Sequence, residues 1–256
     1  MSVVGIIPAR MNSSRFPGKP LEKIHGMPMI GHCYFRTKIA PGIDKVYVAT
    51  CDNEIYDYIR SIGGNVLMTS KEHTRATTRT AEALEKIEEK TGEKVDIVVM
   101  VQGDEPLISP SSIGETVSYF QNQSIEIVNI MSHLTSKESF EDKNNVKVVV
   151  DANNDALYFS REPIPTAWND KKDLVRFMQT GVIAFRRDVL LHFNSMPETQ
   201  LEQLESVDMN RVLESGGKIR MVLTDQETIG VDVPQELRIA EKLLDNDSNL
   251  KDYIDL

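Results

Sequence analysis

Short runs of β-branched and aliphatic residues alternate along the chain with segments whose apolar positions recur every three to four residues. VVGIIPA (Val3 to Ala9) is the first run, followed by a helical pattern from about Met29 to Ile39, then KVYVAT and a second helical pattern from Asn53 to Ile62. NVLMT, a helix through Thr80 to Thr91, and VDIVVMVQ continue this βαβ rhythm. The last of these is apolar at consecutive rather than alternate positions, as a strand buried on both faces of a parallel sheet requires. The pattern predicts a doubly wound α/β core.

Beyond about Ile125 the segments shorten to EIVNIMSHL, VKVVVDANNDALYF and TGVIAFRRD, with a hairpin turn predicted at Asn153-Asn154-Asp155. Antiparallel additions to the sheet are expected there. Arg187 opens a helix, a polar loop surrounds Pro197, and a further helix is predicted near Leu204 to Glu214, closed by Gly216-Gly217. The strand KIRMVLT and a last helix from Pro234 to Leu244 complete the chain. With no internal repeat, low-complexity tract or linker, one domain over 1–256 is expected.

Composition narrows the function classes. A chain of 256 residues with 40% hydrophobic content has enough apolar surface for a real core. No stretch approaches the roughly 18 apolar residues of a membrane span, and Pro8 ends the first apolar run early, so a cytoplasmic location without membrane contact is expected. A net charge of −10 argues against nucleic acid as a partner. Cys33 and Cys51 lack the spacing of a metal or redox motif and read as reduced thiols.

Against that acidic background, the loop after the first strand carries Arg10, Arg15 and Lys19, with Ser13-Ser14 and Gly18 permitting close backbone approach. Ligands of parallel sheets bind beyond the carboxyl ends of the strands, so this loop is a candidate polyphosphate site. It is not a Walker A loop, because GKP puts proline where Ser or Thr must meet Mg²⁺. Gly103-Asp104-Glu105-Pro106 ends the most apolar strand. Asp104 there is either a hard ligand for Mg²⁺ or a turn aspartate bonding its own backbone, and Gln102 has an amide to read a base or ribose edge. Asp232, before the last helix, is either a helix N-cap or a second metal ligand. Arg75 and Arg79 are candidate anion contacts, whereas His73 reads as a loop histidine, since no nucleophile accompanies it. His25, His32, His133 and His192 lack ligand spacing.

IIPARMNSSRFPGKPL, VQGDEPLI, NNVKVVVDANNDALYFSREPIP, RVLESGGKIRM and IGVDVPQEL, in this order and over nearly the whole chain, resemble the cytidylyltransferases that activate 3-deoxy-manno-octulosonate (KDO), the CMP-KDO synthetases. The resemblance implies a nucleotide-diphospho-sugar transferase-like, Rossmann-like α/β fold: a mixed sheet flanked by helices, with a small antiparallel addition. It also implies a homodimer that joins CTP to a 3-deoxy-2-ulosonic acid with Mg²⁺ as cofactor and release of pyrophosphate, in a single cytidylyltransferase domain over 1–256 in which about 130–210 contribute acceptor-site and dimerisation elements. By the same likeness Arg10 and Lys19 hold the triphosphate, Gln102 contacts the cytosine nucleotide, and Asp104 with Asp232 binds metal. Pro8, Ala9, Ser13, Ser14, Arg15, Arg79 and Gly103 complete the implied nucleotide site, while Arg75, Arg161, Gln179, Asp208 and Met209 form the implied acceptor site. With no well-placed histidine, deprotonation of the acceptor is expected through a metal-bound or ordered water rather than a dedicated histidine.

Departures from the family pattern gather on the acceptor side. Arg75-Ala76-Thr77-Thr78-Arg79 stands where the family commonly reads SGTDR, Gln179 where histidine is common, and Met209 where a glutamine is common. A coordinated change of charge and hydrogen-bonding groups is what altered substrate choice demands. The expected acceptor is therefore KDO or a KDO-like sugar acid, with a non-KDO acid such as a phosphonate, or a catalytically inactive nucleotide-binding homologue, as the alternatives. Arg75 either contacts an acceptor anion or sits in solvent.

Overall fold

In the computed structural model, which describes residues 1–13, 15–166, 168, 175–224 and 229–254, the chain opens with β1 (Val3–Ala9) and a short hairpin of β2 (Lys23–Ile24) and β3 (Met27–Pro28). There follow α1 (Met29–Lys38), β4 (Lys45–Thr50), α2 (Asn53–Ser61), β5 (Asn65–Met68), α3 (Ala76–Thr91), β6 (Ile97–Val101) and α4 (Pro110–Ser118). The second half holds β7 (Ile127–His133), α5 (Lys137–Glu141), β8 (Lys147–Val150), β9 (Ala156–Ser160), β10 (Phe177–Arg186) and α6 (Arg187–Ser195). α7 (Gln200–Glu205), α8 (Met209–Glu214), β11 (Arg220–Thr224) and α9 (Pro234–Leu244) close it. Among the described residues no helix is long and apolar enough to cross a membrane.

The main sheet runs β11-β7-β10-β6-β1-β4-β5, with β8 and β9 paired off β10. β5, β4, β1 and β6 are parallel neighbours, as the βαβ rhythm demands. Consecutive side chains in these strands enter different cores: Ile7 and Val99 pack in the cluster that includes α1, while Ile6, Val98 and Met100 pack in the cluster that includes α3 and α6. Both faces are covered, which is why the runs are apolar at every position.

The antiparallel addition expected from TGVIAFRRD is present as β10, which lies inside the sheet between β6 and β7 and antiparallel to both. Two expectations need correction. α3 starts a turn earlier than the apolar pattern suggested, at Ala76, with Arg75 in the N-cap position. The single helix expected near Leu204 to Glu214 is two, because Ser206 adopts a left-handed backbone (φ 52°) and turns the chain before α8. Its neighbours explain the break: Glu202 in α7 and Arg211 in α8 are buried and paired at 2.6 Å, which holds the two short helices together. The predicted turn at Asn153 to Asp155 is present, with Asp151 Oδ1 accepting from the N–H groups of Asn153 and Asp155 at 2.8 and 2.9 Å.

His32 in α1 is fully buried between the Tyr253 hydroxyl and the Ile24 carbonyl, 3.0 and 2.9 Å away. Burial, with the Arg36 guanidinium adding to it, pushes its imidazole down to about 4. Its native pKa lies below the unfolded value, so above about 6.5 both states are neutral and nothing is lost. Between about pH 6.5 and 4 the unfolded chain takes a proton that the native one refuses, which costs on the order of 3 kcal/mol. Urea titrations should therefore show stability falling across that window, and His32→Gln should flatten the fall; an unchanged slope in the variant would place the acid sensitivity elsewhere.

Candidate active site

β1 and β6 are parallel neighbours, so their following loops emerge at the same edge of the sheet. Those loops are pressed together. A Cβ on Gly103 would meet the Pro8 carbonyl oxygen at 3.1 Å, the Ala9 side chain at 3.3 Å and Ile30 at 3.0 Å, so a residue without a side chain is needed there. In the β1 loop, Met11 O accepts from the N–H groups of Ser13 and Gly18 at 3.1 and 2.9 Å. Gly18, at φ 78°, then turns the chain into the short 3₁₀ turn that starts at Lys19.

Lys19 is carried inward by that turn and is buried. Its Nζ donates to Asp104 Oδ2 at 2.6 Å, to Asp232 Oδ1 at 3.0 Å and to the Val231 carbonyl at 2.9 Å. Burial alone would lower the ammonium's pKa, but Asp104 first and Asp232 next outweigh it and hold the pKa above the ordinary value. Arg15 pairs with the other oxygen of Asp232 at 2.8 Å and donates to Asn144. Asp104 also accepts from Val231 N–H through its backbone carbonyl at 2.9 Å, tying the β6 loop to the segment before α9.

The two open readings of Asp104 and Asp232 close on these contacts. Asp104 directs its carboxylate to Lys19 rather than to its own turn. Asp232 is not the N-cap of α9, since Glu236 Oε2 accepts from the N–H groups of Asp232 and Val233 at 2.6 and 2.9 Å. The Asp232 carboxylate is thereby left for the cleft.

Arg15, Lys19, Asp104, Asp232 and Glu236 line one cavity of about 480 Å³, a size typical of small-ligand sites. Pro8, Ala9, Ser13, Gln102 and Gly103 line the same cavity; Ser14 lies outside the described residues. Arg10 also lines it, exposed and with no hydrogen-bonding partner among the described residues. Arg79 lines it too, but its guanidinium is directed to Thr69 and to the carbonyls of Ser70 and His73 at 3.2 and 3.4 Å, so it braces the loop after β5. His73 is held between Thr78 and Glu82, a loop histidine as expected.

The residues of the implied acceptor site line the same cavity. Arg75 does not sit in solvent: its Nη1 meets Asp208 Oδ1 at 2.9 Å, and Thr77 donates to Asp208 Oδ2 at 2.6 Å. Arg161 donates from Nε to the Glu205 carbonyl at 2.7 Å and from Nη1 to the Lys143 carbonyl at 2.9 Å. Gln179 donates to Asn129 Oδ1 at 2.7 Å, and Met209 is fully buried beneath the cavity wall.

Sequence reasoning passed over Glu105. Its Oε1 accepts from Gly181 N–H at 2.8 Å, while Oε2 has no partner among the described residues. Burial, then the neighbouring charge of Asp104, pushes its carboxyl up to about 7. Thr77 and Asn129 were passed over as well, because each acts through a partner distant in sequence. A signal for Glu105 existed in its place within QGDEP, at the end of the most apolar strand.

The fold and the cleft beyond its parallel strands define an α/β nucleotide-binding class. A sequence model of the cytidylyltransferase family matches residues 4–220, and the chain belongs to that family. It is 44% identical over 255 residues to a 3-deoxy-manno-octulosonate cytidylyltransferase of Geobacter metallireducens, covering 95% of this chain and 98% of the relative. It is 39% identical over 246 residues to an 8-amino-3,8-dideoxy-manno-octulosonate cytidylyltransferase of Shewanella baltica, covering 95% and 99%. Among solved structures, a CMP:2-keto-3-deoxy-manno-octonic acid synthetase complexed with CTP superposes with a TM-score of 0.87 at 35% identity, over 96% of this chain and 99% of that one.

Proposed function

We propose that this cytidylyltransferase joins CTP to KDO or a KDO-like 3-deoxy-2-ulosonic acid, giving a CMP-sugar and pyrophosphate. The observation that carries the reading is the convergence of Lys19, Asp104, Asp232 and Arg15 in one cleft. The acceptors named in two relatives support the substrate class.

In this reading the acceptor's anomeric hydroxyl attacks the α-phosphorus of CTP, the bond to the bridging oxygen of pyrophosphate breaks, and the proton leaves through an ordered water. Arg10, Arg15 and Lys19 neutralise the triphosphate, and Gln102 reads the cytosine nucleotide, with the backbone of Pro8, Ala9 and Gly103 shaping its seat. Arg161, Gln179, Asp208 and Met209 shape the acceptor end.

Two carboxylates and a carbonyl drawn to a single cationic point suit a hard divalent ion, so Asp104 and Asp232 would hold Mg²⁺ together with substrate phosphates. Among the described residues no group of three or more His, Cys, Asp or Glu side chains is placed to hold a metal ion by itself. When bound, the ion would neutralise charge on the phosphates.

CTP as cosubstrate supports the cytoplasm as the compartment, and a homodimer as the working form follows the family resemblance. Exposed Leu157 and Leu204, on elements joined by the Tyr158–Glu205 hydrogen bond, support this as the contact face.

Purified protein with CTP, a magnesium salt and KDO should release pyrophosphate, and CTP should raise the melting temperature more than UTP, ATP or GTP. Ligand-induced stabilisation without product would replace the enzyme reading with that of a binding protein.

A further inference from the structure

The geometry points to Arg75 and Asp208 as the pair that sets which sugar acid this pocket accepts, favouring an acid without an ammonium group over its amino-bearing analogue. The inference rests on the cytidylyl-transfer reading above and deepens it.

Asp208 enters the cleft because of the left-handed turn at Ser206, which places it at the head of α8. Both of its oxygens are engaged by one short stretch of chain at the start of α3. Oδ1 meets Arg75 Nη1 at 2.9 Å, and Oδ2 accepts from Thr77 Oγ1 at 2.6 Å. Arg75 also donates to Ser206 Oγ at 3.4 Å and lies 3.8 Å from Glu198. Arg161 holds the same turn through the carbonyls of Glu205 and Ser206, at 2.7 and 3.4 Å. The turn is thus gripped by two cations, and both of them line the cavity.

The remaining acidic side chains of the cavity are Asp104, Asp232, Glu105 and Glu236, which belong to the Lys19 end or to the loops behind it. Asp208 is therefore the carboxylate an ammonium-bearing acceptor would need at this end, and its charge is already matched. An extra positive charge brought beside Arg75 and Arg161 would meet like charge with no free anion to offset it. A neutral hydroxyl in its place carries no such cost. Removing Arg75 reverses the balance, since a largely buried carboxylate would then keep only the Thr77 hydroxyl and would gain from a cation supplied by the substrate.

The test compares kcat/KM for CTP-dependent pyrophosphate release with KDO and with 8-amino-3,8-dideoxy-manno-octulosonate, in the wild-type protein and in Arg75→Ser, Arg75→Gln and Arg75→Lys. The wild type should prefer the hydroxyl-bearing acid by about tenfold or more, and Ser and Gln should each move the ratio by about tenfold toward the amino acid sugar. Arg75→Lys, which keeps the charge, should keep the wild-type ranking. A merely structural role would lower both activities together and leave the ratio unmoved, and having both Ser and Gln variants guards against one of them misfolding. An equal ratio in wild type and the charge-removing variants, or a wild type that prefers the amino sugar, overturns the inference while leaving cytidylyl transfer standing. A wild type that turns over neither acid overturns both.

Discussion

Replacing Lys19 by methionine should lower kcat for pyrophosphate release by about 10²–10³-fold, the usual cost of removing one preorganised charge from a developing anion. The side chain is buried, and its ammonium bonds Asp104, Asp232 and the Val231 carbonyl, so its loss also leaves two carboxylates facing each other without their shared cation. Arg15 remains on Asp232 alone. That residual repulsion supplies a second readout. Mg²⁺ should raise the melting temperature of Lys19→Met more than that of the wild type, because in the wild type the ion must compete with the ammonium for the same two carboxylates. In Asp104→Asn the extra stabilisation by Mg²⁺ should vanish. Equal magnesium shifts in all three proteins would separate Asp104 and Asp232 from metal binding, whatever happened to activity.

Replacing Arg36 by alanine should destabilise the fold by about 3–5 kcal/mol, the cost of stranding one partner of a buried ion pair. Arg36 is fully buried in α1. It donates to Asp247 at 2.5 Å, to the Tyr253 hydroxyl at 3.1 Å and to the Ile108 carbonyl at 3.0 Å, joining the C-terminal segment to the chain just beyond the QGDEP loop. The Asp247 carboxylate, the Tyr253 hydroxyl and the Ile108 carbonyl would each lose a donor at once. In a chain of this size the loss corresponds to a fall in melting temperature of roughly 10 °C. Urea denaturation of Arg36→Ala, Asp247→Ala and the double variant gives the coupling directly. A cost below about 1 kcal/mol for Arg36→Ala, or no coupling with Asp247, would show that water or repacking replaces these bonds.

Much of the frame was legible in the chain because burial on both faces leaves an unmistakable mark. β1, β4 and β6 carry apolar residues at successive positions, and α9 begins at Pro234 as its first-turn proline indicated. Less legible was anything decided by a partner. The helix pattern from Leu204 onward is continuous in hydrophobicity, yet the Glu202–Arg211 pair and the turn at Ser206 divide it. TGVIAFR reads as an antiparallel strand, but nothing in its period says that it lies inside the sheet between β6 and β7. Arg75 left two readings open until Asp208 was found beside it.

The amino-acid order alone determined the kinds of element, their succession, and the placing of cations and carboxylates just after apolar runs, since periodicity and turn chemistry act over a few neighbouring residues. Only the folded chain decided which of those groups meet. Lys19 reaches Asp104 across 85 positions and Asp232 across 213, and no local pattern encodes such a meeting. It arises because parallel strands side by side deliver their loops to the same edge, where the charges must find one another once water is excluded.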